Sequence, residues 1–319
     1  MATIVSNPNL VQKITDAGEI IEQADSASER TIYPVSAVLF AGETKFVREL
    51  LILKNKTQGI FLCTDSELQS ATSDEAIYHE HLIHPTVLLH KHFSSGTQSV
   101  RVLVLGAGEG ATIRELLKYE TVTKVVWNDI DEGLVDLCKE HMQLCKGKYH
   151  EEVYGEGRVE RLFEDANTLL PRLEAESFDI IVNDLPDPEE SMIAATGLYS
   201  AKFFADMYRV LAPGGVVVTH AGPCAPNKMG VRQFLEEGLS GAGFTSPTVL
   251  GLVPIPSFQS EWGYLFACKG DVDLKKAVQM GSSFFEKTTD LLPKDISIVD
   301  AVCLQRFFMI PSYYQRQHE

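Results

Sequence analysis

The alternation of apolar and amphipathic segments between residues 98 and 270 constrains the fold more than any other feature. Apolar runs such as SVRVLVLG and FDIIVNDL are each followed by a segment whose apolar residues recur at helical spacing. Strands that read as continuous apolar runs are buried on both faces, and their alternation with helices is typical of a parallel sheet covered by helices. We therefore predict an α/β fold built on a doubly wound, mostly parallel, Rossmann-like sheet.

The predicted elements of this region follow one another closely. The strands are, in chain order, SVRVLVLG, KVVWNDI, VERLFED, FDIIVNDL, VVVTHAG, TVLGLVPIP and YLFACKG. The helices are predicted over 109–118, 132–145, 166–173, 200–212 and 229–240. The segment APGG, with a proline and two glycines, predicts a turn before the strand VVVTHAG.

The regions on either side have a different pattern. Apolar residues at helical spacing over 9–24 predict an amphipathic helix. Short β-like runs over 34–70, separated by AGET and NKTQG, predict antiparallel hairpins. The predicted parts are a helical extension, a small antiparallel β domain, a Rossmann-like catalytic domain and a C-terminal helix with a tail, over 1–30, 31–75, 76–270 and 271–319.

Charge and cysteine content limit the classes of partner. The 28 basic and 44 acidic residues give a net charge of −16, which disfavours nucleic acid and anionic membranes and would attract a cationic substrate. No apolar stretch reaches the length of about 20 residues that a membrane span requires. The six cysteines are scattered without a C-x-x-C pair, and the N-terminus lacks the profile of a secretory signal. We therefore expect a cytoplasmic protein with reduced thiols.

A glycine-rich turn and two strand-end acids predict a nucleoside pocket. Gly106 and Gly108 lie where the first strand of the region turns into a helix, so that a ligand can approach the backbone closely. Asp129 ends the next strand about twenty residues later, where a carboxylate can bind both ribose hydroxyls. Asp165 ends the third strand and can face an adenine edge. The alternative role of either acid is that of a helix N-cap.

The details of the turn argue against a dinucleotide. The third glycine of the G-x-G-x-x-G pattern is replaced by Ala111, and Glu109 would repel a pyrophosphate. An acid at the mouth of the loop suits a cation instead, such as a sulfonium or an amine. Together with the strand-end acids and the APGG turn, these residues favour an S-adenosylmethionine-type sheet.

The fourth strand ends in two carboxylates on a segment stiffened by prolines. Asp184 and Asp187 follow the buried run FDIIVN, and Pro186 and Pro188 restrict the loop that carries them. Open α/β sheets bind ligands at the carboxyl ends of their strands. Alkyl amines have a pKa of about 10, so an attacking nitrogen must lose a proton, which Asp184 can accept while Asp187 binds the next ammonium group. The segment therefore predicts a polyamine substrate.

Several motifs resemble those of the spermidine/spermine synthase family of aminopropyltransferases and occur in that family's order. They are DEAIYHEHLIHPTVLL, GAGEGATIRELL, NDID, DLPDP and LYSAKFF, within a match that covers residues 34–270. The resemblance implies transfer of an aminopropyl group from decarboxylated S-adenosylmethionine, a co-substrate and not a tightly bound cofactor, to a polyamine, with release of methylthioadenosine. The segments LQSATSDEAIYHEHLIHP, VTHAGP and PIPSFQSEWGY look most like the family's thermospermine-forming branch, which implies spermidine as acceptor. A homodimer or higher homo-oligomer is implied by the family alone.

On the acceptor side, the resemblance makes Asp184 the general base and Asp187 a ligand of a substrate amine. Tyr78 and His79 would line the amine channel, although core packing is the alternative for Tyr78. Phe258 would wall the acceptor end of the channel. Trp262 would do the same, or would belong to the core; the residues do not decide between these roles.

On the donor side, the resemblance assigns the amine of the donor to Glu109, the ribose to Asp129, and the adenine to Asp165 with Ala166. Where the family has a glutamine in its N-terminal strand, this chain carries Arg48. An arginine suits the carboxylate of intact S-adenosylmethionine, so methyl or aminocarboxypropyl transfer to a small amine stays open as the alternative function.

The sequence also allows two other interpretations, a metal site and a non-catalytic sensor. The run YHEHLIH invites a metal site, but the H-E-x-x-H spacing fails at Ile83, and His79 and His81 point to different helix faces, so we predict no metal. A non-catalytic polyamine or nucleoside sensor would be expected to lack the base, whereas Asp184 is present. Glu261, next to Trp262, either contacts an amine or faces solvent.

Overall fold

A computed structural model describes residues 4–23, 30–94, 99–188, 197–225, 230–245, 248–279 and 289–315. Its strands are β1 (Val5–Ser6), β2 (Glu19–Gln23), β3 (Arg30–Pro34), β4 (Ala37–Glu43), β5 (Leu50–Asn55), β6 (Gly59–Thr64), β7 (Glu67–Ala71), β8 (Val100–Gly106), β9 (Val122–Asp129), β10 (Val159–Phe163), β11 (Phe178–Asp184), β12 (Leu211–Pro223), β13 (Val249–Ile255) and β14 (Ser260–Cys268). Its α-helices are α1 (Pro8–Ala17), α2 (Glu75–Phe93), α3 (Ala111–Leu117), α4 (Glu132–His141), α5 (Lys148–Tyr154), α6 (Ala166–Leu169), α7 (Ala201–Val210), α8 (Gly230–Gly241), α9 (Leu274–Gln279) and α10 (Ala301–Phe308). Of the predicted C-terminal part, residues 280–288 and 316–319 lie outside the described ones.

The central sheet has the strand order β10–β9–β8–β11–β12–β14–β13. The neighbours from β10 to β12 are parallel, and β14 runs antiparallel to both β12 and β13. After β8 the chain adds β9 and β10 on one side, and then β11 and β12 on the other. This reversal of direction creates a crevice at the carboxyl ends of β8 and β11, where open α/β sheets bind ligands. The predicted α/β, mostly parallel Rossmann-like fold is confirmed.

Two hydrophobic cores lie on opposite faces of this sheet. Within β8, Val102 and Val104 point into one core, whereas Leu103 and Leu105 point into the other, as the two-residue period of a strand requires. Helix α2 lies in the first core and is buried at every position from His79 to His90. This helix carries candidate site residues, so their backbone is held by the core itself.

The small β domain is antiparallel, with the order β1–β4–β5–β6–β7. The helix predicted over 9–24 is wrong in its second half, because α1 ends at Ala17 and is followed by β2. Gly18 has a left-handed φ of 71° and donates its N–H to the Ile14 carbonyl, which ends the helix. The predicted helical extension over 1–30 thus also contains β1, which pairs with β4, and β2, which pairs with β3.

Two smaller differences concern the Rossmann-like part. The helix predicted over 109–118 begins only at Ala111. The APGG segment is not a turn before a strand but lies within β12, where Gly214 has a φ of 74°. The pairing of β12 with β11 shifts its register between Phe178 and Ile180, so the segment forms a bulge in the ladder.

No helix in the described part of the chain is both long and apolar enough to cross a membrane. All six cysteines are free thiols, and all but Cys303 are buried.

Candidate active site

The candidate residues converge because four parallel strands end at one level of the sheet. Asp184, at the end of β11, is in register with Gly106 at the end of β8. Asp129, at the end of β9, is in register with Phe163 at the end of β10. Asp165 follows Phe163 by two positions. The glycine turn and the strand-end acids therefore lie along one edge, on both sides of the crevice.

The first glycine of the turn is needed because the neighbouring strand tip is very close. Gly106 has a left-handed φ of 86°, and a Cβ at this position would lie 2.1 Å from the Asp184 carbonyl oxygen. Its own carbonyl accepts a 2.9 Å hydrogen bond from the indole of Trp127. At Gly108, a Cβ would lie 2.8 Å from Leu134 and 3.4 Å from the Asp129 carboxylate. The turn thus brings bare backbone next to Asp184, the predicted base, and Asp129, the predicted ribose ligand.

Asp129 is a buried acid with a strongly perturbed protonation. Burial raises the pKa of its carboxyl to about 7, although the backbone N–H of Asp131 opposes this effect. That N–H donates a 2.8 Å hydrogen bond to Asp129 Oδ1. One carboxylate oxygen is therefore engaged with the protein.

Asp165 has the structure of a helix N-cap. Its Oδ1 accepts the backbone N–H of Asn167 at 2.8 Å, at the start of α6. Ala166 is the first residue of that helix and is buried. A role of Asp165 and Ala166 at an adenine stays a prediction. The contacts of Asp165 display its alternative role, that of a helix N-cap.

Glu109 is half-buried at the mouth of the turn. Burial raises the pKa of its carboxyl, the positive charge of His79 opposes this, and the negative charge of Asp184 adds to it. Glu109, His79 and Asp184 therefore influence one another electrostatically across the crevice. A cationic group between Glu109 and Asp184 would relieve their mutual repulsion.

Asp184 is held by hydroxyl groups from two different helices. The Tyr78 hydroxyl of α2 donates a 2.6 Å hydrogen bond to Oδ1, and the Thr112 hydroxyl of α3 donates a 2.9 Å bond to Oδ2. Burial and the nearby Asp184 charge raise the pKa of Tyr78 well above its ordinary value, so this phenol stays a donor. The Tyr264 hydroxyl donates to the Tyr78 carbonyl at 3.2 Å. Both carboxylate oxygens are oriented, and the group remains only partly buried.

A chain of ion pairs through Glu75 and Arg114 holds His79 beside the Asp184 carboxylate. His79 Nδ1 lies 2.7 Å from the Glu75 carbonyl and 3.0 Å from Glu75 Oε2. Arg114 binds the Glu75 carboxylate with two nitrogens, at 3.0 and 2.8 Å. Burial alone would raise the pKa of Glu75, but the bonds and charges of His79 and Arg114 outweigh it and hold the pKa at about 2. Burial alone would lower the pKa of His79. The hydrogen bond and the charge of Glu75 outweigh burial, so the pKa of His79 is raised.

The proline-containing loop after β11 is fixed through its backbone. The Tyr199 hydroxyl donates to the Pro186 carbonyl at 2.8 Å, and His220 Nε2 contacts the Leu185 carbonyl. Asp187 lies against β12, because a Cβ on Gly222 would be 2.9 Å from its carboxylate. The loop that carries the second carboxylate is therefore held by Tyr199, just before α7, and by β12.

Aromatic rings surround the two carboxylates. The rings of Phe258 and Trp262 lie 4.6 Å apart, and Tyr78 faces Phe258 edge-on at 6.2 Å. The loop that carries Phe258 is tied to the start of α2, because Ser257 N donates a 2.6 Å bond to Asp74 Oδ2. Such rings suit the methylene groups of a polyamine, with the carboxylates reserved for its ammonium groups.

Two residues singled out in the sequence lie away from this cluster. Arg48 is exposed in the loop between β4 and β5, where its backbone N–H donates to Asp65 at 3.1 Å. Among the described residues, no hydrogen bond or ion pair joins Arg48 to the glycine turn, so its donor-binding role stays a prediction. Glu261 is exposed, and the Tyr314 hydroxyl of the C-terminal tail donates to its carboxylate, so a contact of Glu261 with an amine stays a prediction.

Three buried side chains in the described residues bring possible metal ligands within 4.8 Å of one another: Glu80, His84 and Glu115. Glu80 accepts the backbone N–H groups of residues 297–299, at 2.7, 2.8 and 2.9 Å. Glu115 is paired with Arg114 at 2.8 Å and Lys118 at 2.7 Å. Since two cations and three N–H groups already occupy these carboxylates, we interpret the cluster as an ion-pair network that anchors the C-terminal segment.

Sequence reasoning missed the residues that support the site from neighbouring elements. They are Glu75, Thr112, Arg114, His220 and Tyr264. Glu75 and His79 are one helical turn apart, a spacing that could have suggested their contact. No local pattern predicts the others, because each meets its partner only through tertiary packing.

A model of the spermine/spermidine synthase domain matches residues 75–276. Polyamine aminopropyltransferase of Aeropyrum pernix is 32% identical over 287 residues, covering 89% of this chain and 86% of that protein. Thermospermine synthase ACAULIS5 of Arabidopsis thaliana is 32% identical over 249 residues, covering 76% of this chain and 68% of that protein.

Solved structures show the same fold. The crystal structure of spermidine synthase from Thermotoga maritima matches with a TM-score of 0.78 at 21% identity, covering 93% of both chains. A spermidine synthase in complex with the transition state analogue AdoDATO also has a TM-score of 0.78, at 20% identity, covering 93% of this chain and 94% of that one. From the family match and the extent of the curated relatives, the chain belongs to the spermine/spermidine synthase family, the polyamine aminopropyltransferases.

Proposed function

We propose that this protein transfers the aminopropyl group of decarboxylated S-adenosylmethionine to an amine of spermidine, forming thermospermine and releasing methylthioadenosine. The observation that carries the proposal is Asp184, whose two oxygens are oriented by Tyr78 and Thr112 at the crevice beside the glycine turn. In the reaction, the nitrogen lone pair attacks the aminopropyl carbon next to the sulfonium. The carbon–sulfur bond breaks, and its electron pair goes to the sulfur.

Asp184 acts as the general base in this proposal. The attacking amine is protonated in neutral solution, with an ordinary pKa of about 10, and must give up a proton to use its lone pair. A positioned carboxylate accelerates such a step by about 10²–10⁴-fold. Hydroxyl donors on both oxygens hold the acceptor orbitals in place, and the negative environment favours the cationic substrate.

On the donor side, Glu109 binds the terminal ammonium group of the aminopropyl chain, and Asp129 binds the ribose hydroxyls. The close backbone of Gly106 and Gly108 supports this role, since no side chain blocks the approach of a nucleoside. The adenine is assigned to the start of α6, at Asp165 and its neighbour Ala166.

On the acceptor side, Asp187 binds an ammonium group of the polyamine, and the aromatic rings line the path of its methylene groups. His79 lines the channel next to Tyr78, with ring centroids 5.1 Å apart. Likeness to thermospermine synthase over 76% of this chain supports spermidine as acceptor. Methyl or aminocarboxypropyl transfer from intact S-adenosylmethionine is the alternative, and the exposed position of Arg48 gives it no support.

The reaction is tested by incubating the protein with either donor and with putrescine, spermidine or spermine, and by reading products with mass spectrometry and chromatography. We expect a gain of one aminopropyl unit, with the decarboxylated donor only, and elution with a thermospermine standard. A spermine product would refute the isomer, and a methyl or aminocarboxypropyl gain would refute the donor.

The base is tested with Asp184→Asn. We expect a loss of about 10²–10⁴-fold in kcat, with the affinity for methylthioadenosine kept within a few-fold. Asp16→Asn, an exposed aspartate of α1, is the matched control and should keep the wild-type rate. An Asp184→Asn variant that retains most of its rate would show that another group accepts the proton.

We also propose that the protein is a homodimer in the cytoplasm. The cross-strand pair Ile21 and Ile32 supports it, because the two side chains are 49% and 55% exposed and form an apolar surface on the β2–β3 hairpin. Light scattering of the purified protein would measure its mass.

A further inference from the structure

Tyr314 of the C-terminal tail is a buried tyrosine whose hydroxyl reaches the central sheet. It lies in a short 3₁₀ helix, Ser312–Gln315, outside the residues 75–276 that match the family domain. Only 4% of its surface is exposed, and its carbonyl oxygen accepts a 3.4 Å hydrogen bond from Arg232 of α8. The tail is therefore fixed on the face of the sheet that α8 covers.

The Tyr314 hydroxyl bridges the ends of two neighbouring strands. Its hydrogen is shared between the carboxylate of Glu261, at the start of β14, and the carbonyl oxygen of Cys224, just after β12, at 3.2 Å. The backbone N–H of Cys224 donates a 2.7 Å bond to the Glu261 carbonyl. A hydrogen bond to a charged acceptor is about twice as strong as one between neutral groups. The hydroxyl thus clamps the end of β12 to the start of β14.

The clamped part of β12 contains an irregularity next to the acceptor acid. Three steps along β12, from His220 to Pro223, face only two steps along β14, so this stretch is a bulge. Gly222 within it has a left-handed φ of 65°, and a Cβ there would lie 2.9 Å from the Asp187 carboxylate. A bulge interrupts the ladder of backbone hydrogen bonds, so contacts from outside the strand pair help to fix it. Tyr314 supplies such a contact directly after the bulge.

The same clamp acts on the aromatic wall. Glu261 and Trp262 are successive residues of β14, so their side chains point to opposite faces of the sheet. Glu261 meets the tail on one face, whereas Trp262 contacts Phe258 on the other, with ring centroids 4.6 Å apart. Trp262 pairs with Pro223, at the edge of the bulge. A shift of the two strand ends would therefore move Trp262 together with the backbone that lies against Asp187.

We infer that Tyr314 is a positioning residue for the acceptor half of the site. Its hydroxyl fixes the ends of β12 and β14, and thereby the places of Asp187 and Trp262, without touching the substrate. The inference rests on the proposed function, which assigns these two residues to an ammonium group and to the methylene groups of the polyamine. Asp184 is oriented by hydroxyl groups of α2 and α3, so the clamp acts on acceptor binding and not on the base.

Four variants separate this role from a structural one. Tyr314→Phe removes the hydroxyl and keeps the ring. Tyr149→Phe is the matched control, because this hydroxyl also donates to a carboxylate, that of Asp295, between α5 and the segment before α10. Glu261 is exposed, so both of its variants leave the core intact: Glu261→Gln keeps an acceptor for Tyr314, and Glu261→Ala removes it. Binding of spermidine without any donor is measured by calorimetry, together with kcat, the acceptor KM and the affinity for methylthioadenosine.

We expect Tyr314→Phe to weaken spermidine binding and raise the acceptor KM by about 5- to 50-fold, because a misplacement of about 1 Å can cost up to about 100-fold. The kcat and the affinity for methylthioadenosine should stay within about threefold, since other contacts hold the base and the donor side. Glu261→Ala should raise the KM by about 3- to 10-fold, because the Cys224 carbonyl still accepts the hydroxyl. Glu261→Gln and Tyr149→Phe should stay within about twofold of wild type.

A wild-type KM in Tyr314→Phe would leave this tyrosine a packing role only. Equal losses of affinity for spermidine and methylthioadenosine would show a general loosening of the protein. A loss in Glu261→Gln as large as that in Glu261→Ala would show that the charge of Glu261 acts on the amine itself, and an equal loss in Tyr149→Phe would show that any weakening of the C-terminal segment suffices. Each of these results overturns the inference. If Tyr314→Phe does not fold, the contrast between the two Glu261 variants decides, because both retain Tyr314.

Fluorine NMR reports the position of the aromatic wall without any turnover. The chain has two tryptophans, Trp127 and Trp262, so protein labelled with fluorotryptophan gives two signals. Tyr314→Phe should shift the Trp262 signal and its response to spermidine, and should leave the Trp127 signal in place. A Trp262 signal that is the same in the variant and in the wild type would overturn the inference.

Direct binding also separates the inference from the proposed reaction. If the wild type transfers no aminopropyl group but Tyr314→Phe weakens spermidine binding, the positioning role stands and the reaction falls. If transfer occurs and Tyr314→Phe leaves the KM unchanged, the reaction stands and the positioning role falls.

Discussion

The ion-pair chain behind His79 makes a prediction about stability that depends on pH. Glu75 is the central acid of this chain, and its side chain is only 12% exposed, so solvent screens it little. Its pKa is held at about 2, against an ordinary value of 4.5. At about 1.36 kcal/mol for each pKa unit, this difference corresponds to about 3 kcal/mol of folding stability near neutral pH.

The sign follows from proton binding. Because the pKa is lower in the folded protein, the unfolded chain binds a proton first as the pH falls, and the stabilisation disappears. The contribution is complete above about pH 4.5, falls to about 1 kcal/mol near pH 3 and is below about 0.5 kcal/mol near pH 2. The raised pKa of His79 comes from the same contact and is not counted a second time.

The perturbation is Glu75→Gln, and the assay is urea unfolding followed by circular dichroism and tryptophan fluorescence at about pH 7 and pH 3. We expect a loss of about 3 kcal/mol at the higher pH and about 1 kcal/mol at the lower one. The control is Glu151→Gln, whose side chain is 85% exposed and whose loss should stay within about 0.5 kcal/mol. A loss that is equal at both pH values, or smaller than about 1 kcal/mol near neutrality, would refute the reasoning.

Two other predictions concern a binding acid and the C-terminal anchor. Since the pKa of Asp129 is raised to about 7, binding of ribose by its ionised form should release protons and strengthen methylthioadenosine binding about tenfold from about pH 6 to pH 8. Calorimetry in buffers of different ionisation enthalpy measures both effects, which Asp129→Asn should abolish; an affinity without pH dependence would argue against this binding mode. Glu80→Ala removes the acceptor of three backbone N–H groups and should lower the free energy of unfolding by about 3 kcal/mol or more, with faster proteolysis of the C-terminal segment. If urea unfolding shows a loss below about 1 kcal/mol, this carboxylate does not anchor the segment.

The periodicity of the sequence was sufficient for the fold class, because strand and helix patterns are local properties of the chain. FDIIVNDL reads as a strand buried on both faces, and it forms β11 with every residue buried up to Asp184. Local reasoning failed at Gly18, whose left-handed backbone ends α1. The residues that follow also fit a helical pattern, but they form β2 and pair with β3.

The strand-end acids could also be read in the sequence. Once a parallel sheet is predicted, Asp129 and Asp184 must come to the same edge, since parallel strands end there together. What these acids contact could not be read. Asp165 matches a binding residue and an N-cap equally well in sequence, and only the structure displays its bond to Asn167. Glu261 likewise finds its partner 53 positions away, in the tail.

By itself, then, the sequence determined the sheet, its edge of acids and the family likeness, all of which depend on residue type and spacing along the chain. The tertiary structure decided how those acids are oriented and charged. Thr112 reaches Asp184 across 72 positions and His220 reaches Leu185 across 35, distances at which no pattern of neighbours specifies a contact. The physical reason is that hydrogen bonds and pKa values depend on burial and on partners in space, which exist only after the elements have packed.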